Sequence, residues 1–170
     1  MRVRVDHIDD RDQQVTAGMG DVWAVTAASD VLETALTDLS TTLDLRRAHG
    51  HVFVTGAVRA AASRNCERCG ESTSLVVDTD VELSYVPRGR QISDAPESEL
   101  KSDQLDVGWY ADGHIDLADT LREALALALP PRVVCEDEPA CEERTRTLLS
   151  GAPESSGQSV FSALRNWTDT

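Results

Sequence analysis

Leu75-Val76-Val77-Asp78-Thr79-Asp80-Val81-Glu82-Leu83-Ser84-Tyr85 is the stretch whose pattern decides the fold. Leu75, Val77, Thr79, Val81, Leu83 and Tyr85 fall on one side of an extended chain, and Asp78, Asp80, Glu82 and Ser84 on the other. Side chains alternate along a strand, so this one has a dry and a wet face, as in an antiparallel sheet covered on one side. Pro87 and Gly89 end it. Upstream, Leu43-Asp44-Leu45-Arg46-Arg47 and His51-Val52-Phe53-Val54-Thr55 flank Ala48-His49-Gly50, which reads as a β-hairpin with glycine at the turn. Before it, Ser29 is placed to cap a helix with Leu32, Leu36 and Leu39 on one face. Asp21–Thr26 reads as extended, and a first strand is expected near Val3 and Val5. Downstream, Asp116 caps a helix whose stripe is Leu117, Leu121, Ala124, Leu125 and Ala128, stopped by Pro130-Pro131. Glu142–Leu149 adds a last turn or two of helix.

The expected fold class is therefore α+β: a mainly antiparallel sheet with two principal helices. A chain of 170 residues fits one domain, placed at 1–149, with an acidic loop at 91–113. Residues 150–170 form a Gly/Ser/Pro linker and a short apolar end, Val160–Trp167. The N-terminal Met1-Arg2-Val3-Arg4-Val5-Asp6-His7 carries charges where a signal peptide is apolar, and no window approaches the ~20 apolar residues of a membrane span. A cytoplasmic protein without a membrane partner is expected.

Thirty acids against sixteen bases give a net charge of −14, and fifteen of the bases are arginines, with Lys101 the single lysine. A surface this acidic exerts no general pull on nucleic acid, so any RNA contact needs a local basic patch.

The four cysteines fall into two pairs. Cys66-Glu67-Arg68-Cys69-Gly70 is a C-x-x-C-G knuckle, a spacing at which two thiolates grip one tetrahedral metal while glycine lets the backbone turn. Cys135 and Cys141 are five residues apart, a longer interval than the usual two to four. One structural zinc ion held by Cys66, Cys69, Cys135 and Cys141 is the leading reading. A partial site, a redox pair, disulfides and independent thiols stand beside it. A redox C-x-x-C needs a helix starting at the motif to lower a thiol pKa, whereas Gly70-Glu71-Ser72-Thr73 leads into a strand. His7, His49, His51 and His114 read as surface residues, and no nucleophile elbow, phosphate loop or H-E-x-x-H is present. No catalytic residue and no small-molecule substrate are expected.

Arg59, Arg64 and Arg68 surround the first pair of cysteines, and Arg132, Arg144 and Arg146 bracket the second. If zinc unites the pairs, these six either meet RNA phosphate or neutralise acids such as Glu67, Glu142 and Glu143.

Three blocks in order resemble the YceD family of large ribosomal RNA accumulation proteins. They are Val52–Val58 leading to Cys66-Glu67-Arg68-Cys69, the alternating strand that follows, and Ile115–Pro131 with Cys135 beyond it. The resemblance implies a non-enzymatic role in 23S ribosomal RNA synthesis, processing or stability, and supports the four cysteines as ligands. The expected partner is ribosomal RNA or a ribosome-biogenesis protein. The rival is a zinc-stabilised adaptor that binds a ribosomal protein or processing enzyme without touching RNA.

Overall fold

The computed structural model describes residues 1–11, 13–88 and 107–151. Five strands make the main sheet: β2 (Gln13–Gly18), β3 (Leu36–Ala48), β4 (His51–Asn65), β5 (Ser72–Pro87) and β6 (Val107–Tyr110), in that spatial order. All neighbours are antiparallel except β5 and β6. A small second sheet pairs β1 (Arg2–Arg4) with β7 (His114–Asp116). The helices are α1 (Val22–Leu32), α2 (Leu117–Ala128) and α3 (Glu138–Ser150). The α+β class and mainly antiparallel sheet expected from the alternation are those of the structure.

The alternation carries across three strands. Leu39, Leu43 and Leu45 of β3, Val52, Val54 and Val58 of β4, and Leu75, Val77 and Val81 of β5 share one buried face. α1 and α2 cover this face, burying Ala24, Ala27, Ala28 and Leu32 from one helix and Leu117, Leu121, Ala124 and Leu125 from the other. The β3–β4 turn has His49 at φ 52° and Gly50 at φ 81°, the two positive values a tight primed turn requires. Gly56 is needed for close approach: at φ 151°, a Cβ there would lie 2.0 Å from the Thr42 carbonyl oxygen.

The N-terminal third corrects the sequence reading. Asp21–Thr26, expected as extended, opens into α1, and Ser29 lies inside that helix rather than at its cap. Leu36 and Leu39 belong to β3. Their helix-like interval of three comes from a register irregularity between Leu36 and Asp38, which turns both toward the core. The stripe of α1 is mostly alanine, so its period was masked by the larger leucines beyond. A third full helix also replaces the expected last turn or two, and Val5 starts a 3-10 turn instead of continuing β1. Asp116 caps α2 as expected, accepting from the Ala118 N–H at 3.0 Å. Of the acidic loop, 91–106 lies outside the described residues, and Val107–Tyr110 form β6. The apolar end Val160–Trp167 also lies outside them.

Candidate metal centre

The β4–β5 hairpin ends in the Cys66-Glu67-Arg68-Cys69-Gly70 turn. The Gly70 N–H donates to the Cys66 carbonyl at 2.9 Å, the Cys66 N–H donates to Glu71 at 2.7 Å, and Gly70 adopts φ 78°. This places both sulfurs on one side of the tip. The chain leaving α2 is tied to the same turn where the Glu67 N–H donates to the Val133 carbonyl at 2.8 Å. Cys135 follows at once. Asp137 then caps α3, accepting from the Ala140 N–H at 3.0 Å with proline in the first turn, and Cys141 projects from that turn. The long x5 interval is thus a loop residue and a capped helix start, legible in Asp137-Glu138-Pro139. Thr145 fastens the helix, its one hydroxyl hydrogen shared between the Cys141 carbonyl at 2.9 Å and the Arg68 carbonyl at 3.4 Å.

The four sulfurs meet. Cys66 Sγ lies 3.7 Å from Cys141 Sγ, and Cys69 Sγ 3.6 Å from Cys135 Sγ, with all four within 4.8 Å of one another. A disulfide holds sulfurs at about 2.05 Å. A tetrahedral zinc with Zn–S bonds of about 2.3 Å sets them about 3.8 Å apart. The thiols are unpaired, and all but Cys135 are buried, forming a small core separate from the main one. Donor type, number and spacing fit a closed zinc site. They do not fit a thioredoxin-like redox pair, since Cys66 and Cys69 lie between strands rather than at a helix start.

Electrostatics divide the thiols. Cys66 is drawn down to about 6, chiefly by the Cys69 N–H donating to its sulfur. Cys69 is lowered first by the Arg144 guanidinium. Burial pushes Cys141 up to about 12 and raises Cys135. In the metal-free cluster Cys66 and Cys69 therefore ionise more readily than Cys135 and Cys141.

The arginines do not form one face. Arg59 sits mid-strand, about 23 Å along β4 from Cys66 at 3.3 Å per residue, and meets Asp78 at 3.2 Å. Arg64 meets Glu33 at 3.4 Å. Arg146 pairs with Glu142 and Glu143. Arg68 and Arg132 approach Glu138 and Glu67, each at 3.9 Å, and both line a groove of about 510 Å³ that reaches Cys135 and Cys141. Arg144 alone of the six turns to sulfur, its Nη2 donating to Cys135 Sγ at 3.4 Å. Arg59 is thus far from the cysteines, while Arg64, two residues before Cys66, is turned to Glu33. The role of Arg144 had no signal in the pattern except its i+3 spacing from Cys141.

An α+β fold whose last helix is joined to a hairpin tip by four thiols able to hold a metal ion is the class that fold and site define. Over residues 54–166, more than half of the chain, it matches the family described as Large ribosomal RNA subunit accumulation protein YceD. The chain belongs to the YceD family. No curated protein and no solved structure matches it. Among the described residues, no helix is long and apolar enough to cross a membrane.

Proposed function

We propose that this chain is a non-enzymatic cytoplasmic factor for 23S ribosomal RNA accumulation whose zinc-held tip is its working surface. The observation that carries this reading is the convergence of Cys66, Cys69, Cys135 and Cys141 at tetrahedral spacing inside the YceD match. When bound, zinc supplies a closed structural tie and no open position for water. Residues 1–149 act as one unit, with α3 carried by the tie. The Arg68–Arg132 groove beside it is where RNA phosphate is met, because 3.9 Å ion pairs between exposed side chains are weak enough to exchange partners.

A second reading is favoured by a specific observation: Arg59, Arg64, Arg68, Arg132 and Arg146 all face carboxylates. On that reading the protein is an adaptor for a basic ribosomal protein or an RNA-processing enzyme. Charge reversal at Arg68 and Arg132, with the 23S to 16S ratio measured in cells, tests the first reading. A lowered ratio supports RNA contact. An unchanged ratio, together with a pulled-down partner that survives nuclease, selects the adaptor.

A further inference from the structure

Arg144 stands apart from the other five arginines of the region. Among the described residues no carboxylate forms an ion pair with it, although Glu71 and Glu143 line the same shallow groove of about 250 Å³ with Cys69 and Leu148. Its Nη2 donates to the Cys135 sulfur at 3.4 Å. Its Nε is buried with no hydrogen-bond partner, the one such side-chain atom among the described residues. A guanidinium nitrogen taken out of water without an acceptor is costly, and the cost is offset only where negative charge lies close by. Here the near negative charge is the sulfur cluster. Four thiolates around a divalent zinc carry a net charge of −2, and the cluster has no other cation in hydrogen-bond contact among the described residues.

Cys135 is also the least buried member of the set, half-buried where Cys66, Cys69 and Cys141 are buried. An N–H aimed at a metal-bound thiolate withdraws electron density from the sulfur, which makes it a poorer nucleophile and fixes its direction toward the metal. Outer partners of this kind are typically worth ten- to a hundredfold in metal affinity. Because Arg144 lies on α3 one turn beyond Cys141, correct winding of that turn delivers the fourth ligand and the guanidinium together.

We infer that Arg144 is a positioning residue of the metal centre, compensating its charge and shielding the Cys135 thiolate, rather than a contact for RNA. This rests on the zinc reading above. The test uses the full chain in wild-type, Arg144→Met, Arg144→Lys and Arg146→Met forms. Zinc affinity is read by competition with a chromophoric chelator. The rate at which iodoacetamide alkylates each cysteine of the zinc-loaded protein is mapped by mass spectrometry. Arg144→Met is expected to weaken zinc binding ten- to a hundredfold and to make Cys135 the first cysteine alkylated. Arg144→Lys, which keeps the charge, recovers most of the affinity and keeps the inference testable if the Met form does not fold. Arg146→Met, on the same helix but paired with glutamates, changes neither readout. Affinity within twofold of wild type and an unchanged alkylation order in Arg144→Met overturn this inference alone. A wild-type protein that takes up no zinc overturns it together with the zinc reading.

Discussion

The helices α2 and α3 are of nearly equal length and are held by different physics. α2 buries Leu117, Ala118, Thr120, Leu121, Ala124 and Leu125 against the sheet, whereas α3 buries only Cys141. α2 is fixed by a stripe of apolar area, with the Thr120 hydroxyl meeting Tyr85 at 2.9 Å inside the core. α3 has no such stripe, and its Leu148 and Leu149 are exposed. Isolated helices of this length are marginal in water, so α3 owes its place to the sulfurs and the Thr145 clasp. One end of the β4–β5 hairpin is thus a hydrophobic body and the other is a ligation site.

The sharpest break of this contrast is Cys135→Ser with Cys141→Ser. Amide exchange across 139–149 is expected to become that of an unfolded segment, while β4 amides over 52–62 stay protected. Loss of protection in both regions together would merge the two ends into one cooperative unit. Leu121→Ala, in a fully buried position, should cost about 3 kcal/mol of the main unfolding transition and leave zinc content unchanged. Denaturant melts with metal analysis check both halves of that statement.

The largest pH effects are at the sulfur end. Cys66, depressed to about 6 from an ordinary 9.0, adds stability above 9.0 that is lost as pH falls through about 6. Cys141, raised to about 12, favours the folded thiol below 9.0 and loses that preference as pH climbs through about 12. Between these limits Cys141 carries a proton that metal must displace. Zinc affinity should therefore fall as pH falls, and more steeply below about 6 where Cys66 is also protonated. Calorimetry in buffers of different ionisation enthalpy measures the proton count, and a count near zero would contradict the assignment. The smallest effect is expected of Arg122→Ala. It removes exposed ion pairs to Asp30 at 3.0 Å and Asp119 at 2.9 Å, and the melting midpoint should stay within about 3 °C.

The same contrast explains what the sequence let one read. Alternation from Leu75 to Tyr85 and the leucine stripe of α2 are large apolar signals at the period of their elements, and both elements lie where the pattern put them. α1 escaped because its inward face is small: Ala24, Ala27 and Ala28 carry little hydropathy contrast, while a β-bulge gave Leu36 and Leu39 a helical interval. The four cysteines were legible as a cluster from their pairing. The fate of the arginines was not, because whether a guanidinium meets a carboxylate, a sulfur or solvent depends on cross-strand register, such as Arg59 opposite Asp78, and on the docking angle of α3.

The central claim is the metal tie, and native mass spectrometry on protein purified without chelator under anaerobic conditions tests it most directly. One zinc per chain, absent from the Cys135→Ser, Cys141→Ser variant, is the predicted result. A wild-type mass equal to that of the bare chain, with α3 amides still protected, would contradict it.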